Sequence, residues 1–77
     1  MKMITAQQIR HLCEQGIPIF GILSKYYTKQ DGFEVSVNDI MLRINGTFES
    51  KPSVSMELVD KLLSTGEYAE IYKSIKL

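Results

Sequence analysis

Ser36-Val37-Asn38-Asp39-Ile40-Met41-Leu42-Arg43-Ile44-Asn45-Gly46 is the stretch whose reading decides the fold. Ser36 and Asp39 stand at the spacing of a capping box, in which each side chain bonds the other's backbone amide at the mouth of a helix. Val37, Ile40 and Ile44 recur on one helical face, and Gly46 stands where a left-handed residue would stop the helix. A short amphipathic helix is predicted, with Asn38, Asp39, Arg43 and Asn45 on its outer face. Such side chains exchange hydrogen bonds equally well with base edges or with a protein surface.

Immediately upstream the period changes. Asp31-Gly32 is a two-residue hairpin signal, and Phe33, Val35 and Val37 alternate with Glu34 and Ser36, so a β-hairpin is expected from Thr28 to Val37. Its register sets Lys29 opposite Glu34 on the wet face and Thr28 opposite Val35 on the other. Hairpin and helix both claim Ser36 and Val37, and one must yield. Before the hairpin, Pro18 suits the first turn of a helix carrying Ile19, Ile22, Leu23, Tyr26 and Tyr27 at helical spacing. A buried strand through Ile17 to Leu23 is the alternative.

The first helix, from Thr5 to Gln15, is the most completely punctuated. Thr5 and Gln8 form a second capping box, Ile4 and Ile9 a hydrophobic staple, and Gly16 a stop after which Ile17 folds back onto Leu12. Ile9, Leu12 and Cys13 define its buried stripe, with Cys13 read as a small core residue. Downstream, Thr47 to Pro52 reads as a polar loop whose large apolar side chain is Phe48. A helix from Ser55 to Ser64 follows, with Met56, Val59, Leu62 and Leu63 facing inward, Val54 and Val59 as its staple, and Gly66 as its stop. Tyr68, Ile71, Tyr72 and Ile75 then mark a last amphipathic helix, either a lid on the core or a face for a dimer or partner.

The expected fold is therefore mainly α, with α+β at the margin. Residues 1–77 form a single small globular domain, a compact bundle of about five short helices with one β-hairpin around Asp31-Gly32. At 77 residues with 44% hydrophobic and 23% charged side chains, the chain has room for one core. Nine basic and nine acidic side chains cancel, so binding to nucleic acid or an anionic membrane has to come from a local patch. Cys13 stands alone and cannot form an internal disulfide, and the first residues lack the pattern of a secretory signal. A reducing, cytoplasmic setting is expected. No apolar run approaches the roughly 18 residues of a membrane span.

Catalytic chemistry is not encoded in any recognisable pattern. His11 is the single histidine, and one turn beyond it stands Gln15 rather than a second ligand. Nucleophile elbows, phosphate-cradling glycine loops and paired carboxylates are missing as well. No catalytic residue, metal or cofactor is expected, and the chain is not predicted to be an enzyme. What remains is recognition of another macromolecule. Arg43 and Asn45, with Lys51 beyond, make a modest polar and basic group, joined by Lys25 and Lys29 if the second helix and the hairpin lie alongside. Asp39 and Glu49 oppose phosphate there.

Ile40-Met41-Leu42-Arg43-Ile44-Asn45-Gly46, then Lys51-Pro52-Ser53, then the apolar helix from Met56 to Leu63, resemble the third and fourth helices of phage-repressor-type helix-turn-helix regulators. The resemblance covers about the second half of the chain. It implies a regulator of transcription that places the third helix in the major groove of double-stranded DNA. Asn38, Arg43, Asn45, Lys51 and Lys29 would be its DNA contacts, and it would bind a palindromic site as a homodimer. In that family a turn of three or four residues joins the second and third helices. Here the expected hairpin puts about ten residues between Tyr27 and Asn38, as a wing or as a departure from the motif. A different class of function fits the neutral charge: a small protein-binding module or inhibitor that occludes a larger host protein. Clustered positive charge around the third helix would favour DNA, and an exposed apolar surface a protein.

Overall fold

The computed structural model describes residues 2–45 and 54–77, and three of the described helices begin at side-chain caps. The helices are α1 (Ala6–Glu14), α2 (Ile19–Asp31), α3 (Val37–Ile44), α4 (Met56–Thr65) and α5 (Ala69–Lys73). At α1 the Gln8 amide donates to Thr5 Oγ1 at 3.1 Å and the Thr5 amide to Gln8 Oε1 at 2.9 Å. At α3 the Asp39 amide donates to Ser36 Oγ at 3.2 Å and the Ser36 amide to Asp39 Oδ2 at 3.0 Å. Both reciprocal boxes satisfy amides that a helix start leaves unpaired. Ser55 caps α4 alone, accepting from the Leu58 amide at 3.1 Å.

The end of α1 is equally local in origin. Gly16 takes a left-handed φ of 91°, its amide donates to the Cys13 carbonyl at 3.0 Å, and the Ile17 amide donates to the Leu12 carbonyl at 3.1 Å. This is the six-to-one and five-to-two pairing of a Schellman motif. It turns Ile17 back into the core beside Leu12, as the spacing predicts. Tight closure there brings α2 across α1.

One apolar core joins all the longer elements. Ile9 and Leu12 of α1, Ile19, Leu23 and Tyr27 of α2, Ile40 of α3, and Val59 and Leu63 of α4 are buried together with Ile4, Ile17, Val35 and Val54. The N-terminal segment is drawn into it. The Ile4 amide donates to the Val54 carbonyl at 3.1 Å and the Met56 amide to the Lys2 carbonyl at 2.9 Å, making one antiparallel bridge between Met3 and Ser55. α5 lies against α4, where the Tyr72 hydroxyl donates to the Asp60 carboxylate.

The expected β-hairpin does not form. Thr28 to Asp31 are the last turn of α2, and Gly32, at φ 78°, donates its amide to the Thr28 carbonyl at 3.1 Å as the helix stop. A type I′ hairpin needs positive φ at both central residues, Asp31 included, whereas a helix end needs it at the glycine alone. Asp31 keeps a helical backbone. The alternation expected after it does not appear either: Val35 alone is buried, while Phe33 and Val37 face out with Glu34 and Ser36. Side chains of α2 replace the missing ladder. Thr28 Oγ1 accepts from the Val35 amide at 2.8 Å, and Ser24 Oγ donates to the Val35 carbonyl. In the contest for Ser36 and Val37, the helix wins.

Other expectations need smaller corrections. Ile17 to Leu23 is no strand, since α2 starts at Ile19. Cys13 is exposed, one position off the buried stripe of Ile9 and Leu12. Val37 also faces out, because the inward face of α3 is completed by Arg43 instead. Gly66 ends α4 with an extended backbone rather than a left-handed one. The last helix spans only Ala69–Lys73, with no fully buried residue: Tyr68, Tyr72 and Ile75 pack half-buried on the core and Ile71 is exposed. The expected stop at Gly46 and the loop with Phe48 and Lys51 lie outside the described residues.

Candidate interaction surface of α3

The side chain with the most specific environment is Arg43, and it is inside. It is 1% exposed, its Nη2 donates to Asp31 Oδ2 at 2.6 Å, and its guanidinium carbon lies 4.2 Å from the centroid of the Tyr27 ring. Tyr27 in turn meets Tyr26 edge-on, with centroids 5.2 Å apart. Burial pushes the Tyr27 phenol above its ordinary range, against the pull of the Arg43 guanidinium. Charge, ring and helix end thus meet at one crossing. Together with the bonds of Ser24 and Thr28 to Val35, they fix α3 against the C-terminal half of α2.

This arrangement removes Arg43 from the outer face of α3, where the sequence reading puts it. That face consists of Val37, Asn38, Met41, Leu42 and Asn45, all exposed, with Val37 and Met41 each 45% accessible. Asp39, half-buried, is held by the cap. The outer face of α3 therefore carries two asparagines and three apolar side chains, and no cation. The predicted contacts Asn38 and Asn45 both stand exposed on it, about two helical turns apart; Lys51 lies outside the described residues.

Lys29 is not brought to this face. α2 turns Ser24, Tyr27, Thr28 and Asp31 toward α3 and the Val35 segment, whereas Lys25 and Lys29 stand with Ile22 and Tyr26 on its other side, across from Leu62 and Tyr68. The basic cluster that would have extended from α3 is thereby split. Tyr68, Ile71, Tyr72 and Ile75 lie at α5 and its flanks, apart from α3.

Beside α3, an apolar cleft of about 280 Å³ opens against α1 and the start of α2. Ile9, Cys13, Phe20, Met41 and Ile44 line it, and Arg10 and Asn45 stand at its polar edge. Sequence reasoning missed it because it joins residues of three helices. A local signal existed in Cys13 and Met41, which sit one position off the buried stripes of their helices and so flank the α1–α3 seam. Among the described residues no group of His, Cys, Asp or Glu is placed to hold a metal, and no helix is long and apolar enough to cross a membrane. No protein-family model, curated protein or solved structure matches this chain.

Proposed function

We propose that this chain is a small protein-binding module that docks through the outer face of α3 and the adjoining α1–α3 cleft. The observation that carries this reading is the uncharged, largely apolar outer face of α3, whose one arginine is used internally. Interface cores are depleted in charge and enriched in methionine and aromatics, and the Met41, Phe20 and Ile44 cleft has that composition. About 280 Å³ suits one large apolar side chain inserted as an anchor. Zero net charge imposes no long-range bias toward polyanions.

A second reading rests on the connection between α2 and α3. Without a hairpin, only Gly32 to Ser36 separate Asp31 from Val37, near the turn length of helix-turn-helix regulators. In that reading Asn38 and Asn45 meet base edges in double-stranded DNA, and Val37 or Met41 meets thymine methyl groups. The two readings separate in one experiment. The wild-type chain and Met41→Glu, a substitution at an exposed site, are compared for capture of a protein from host lysate and for binding to random duplex DNA at about 50 and 200 mM salt. A stoichiometric protein partner retained at both salts and lost in Met41→Glu supports the module. Duplex binding that collapses with salt and with Asn38→Ala sinks it in favour of the DNA reading.

A further inference from the structure

A second groove lies on the opposite side of α2, away from α3. Ile22, Leu62 and Leu63 form its apolar floor, Tyr26 and Tyr68 flank it, and its volume is about 410 Å³. Lys25 and Lys29 stand on its α2 rim, exposed, one helical turn and about 6 Å of rise apart. Neither lysine is in an ion pair with a described residue. The other rim holds Glu67. Within the groove, positive charge is thus concentrated along one edge of an aliphatic floor.

We propose that this groove seats an acidic amphipathic helix of a partner protein. A helix lying along α2 with apolar residues on one stripe and two carboxylates one turn apart beside it repeats the spacing of the lysine pair, and its stripe covers Ile22 and Leu62. Glu67 disfavours a polyphosphate backbone in the same place and sets the orientation, since it requires the far edge of the incoming helix to be neutral or basic. This site is independent of the α3 surface and stands or falls separately.

The test is a selection of displayed helical peptides on the full chain, with a fixed leucine stripe and randomised flanking positions. Expected winners carry Glu or Asp one turn apart on one flank. Their affinity should fall at least tenfold against Lys25→Glu/Lys29→Glu, confirmed as folded by circular dichroism, and stay unchanged against Met41→Glu. Charge-reversed winners, with Lys in place of the acidic pair, should regain binding to the Lys25→Glu/Lys29→Glu protein. The proposal is overturned if no peptide is recovered, if winners lack the acidic pair, if the lysine variant binds them as well as wild type, or if loss in Met41→Glu places them on α3.

Discussion

Arg43 shows how one buried charge can organise a small domain. Its guanidinium is taken out of water and offset by Asp31 and by the face of Tyr27, an arrangement that favours arginine's planar, weakly hydrated group over lysine's ammonium. Truncation leaves Asp31 without that partner in a largely buried site, a loss of about 3–5 kcal/mol, comparable to the whole stability that a core of this size supplies. Arg43→Ala is expected to unfold or nearly unfold the chain in urea titration, and Arg43→Lys to recover only part of the loss. A near-wild-type midpoint for Arg43→Ala would mean that the crossing is held by apolar contacts alone. Tyrosine makes a second prediction at this scale. Burial holds both Tyr27 and Tyr72 protonated above the usual phenol range, with the Asp60 carboxylate adding to the effect at Tyr72. The unfolded chain ionises these phenols near pH 10, so above that pH it binds fewer protons than the folded chain and stability falls as pH rises. Below pH about 10 their contribution is fully present. Urea midpoints measured from pH 9 to 11 should decline less steeply in Tyr27→Phe/Tyr72→Phe than in wild type.

At the scale of elements, the α2–α3 connection matters most. Gly32 sits at φ 78°, and a Cβ added there would meet no neighbouring atom within 4 Å, so substitution tests conformation alone. Gly32→Ala should cost about 1–2 kcal/mol, and Gly32→Asn clearly less, because asparagine tolerates the left-handed region. Thermal denaturation of the three proteins distinguishes this from steric disruption, which would make the larger asparagine the worse of the two. Much of this element was legible beforehand: Ser36 and Asp39 bond across three residues, and their pairing needs nothing from the rest of the chain. Asp31-Gly32 was legible only as a turn, since glycine's positive φ serves a hairpin and a helix end alike. Side-chain bonds from Ser24 and Thr28 to Val35 decided between them.

For the whole molecule, the N-terminal segment is a tie between the two halves of the chain. Ile4 is buried and its amide bonds the Val54 carbonyl just ahead of α4, while Lys2 accepts from Met56. Ile4→Ala should therefore cost about 2–5 kcal/mol, a core-sized penalty at a position outside every helix. Hydrogen exchange should show the loss at the start of α4 as well as in α1. Protection lost in α1 alone would sink the idea that the segment couples the two. At this scale too, the bundle separates its surfaces: α2 presents Lys25, Lys29 and Tyr26 to the α4–α5 side and Tyr27 and Asp31 to α3.

The chain's own local chemistry determined its helices. Capping boxes at Thr5 and Ser36, the glycine stop after α1 and the apolar periodicity of α1, α2 and α4 act over a few residues and are visible as spacing. Tertiary structure decided which side chains were left for recognition. Arg43, placed by its helix near the stripe of Ile40 and Ile44, goes inside because Tyr27 and Asp31, distant in sequence, offer a ring and a carboxylate where it arrives. Local periodicity counts arginine as surface; burial of a charge depends on a partner that only the folded chain supplies.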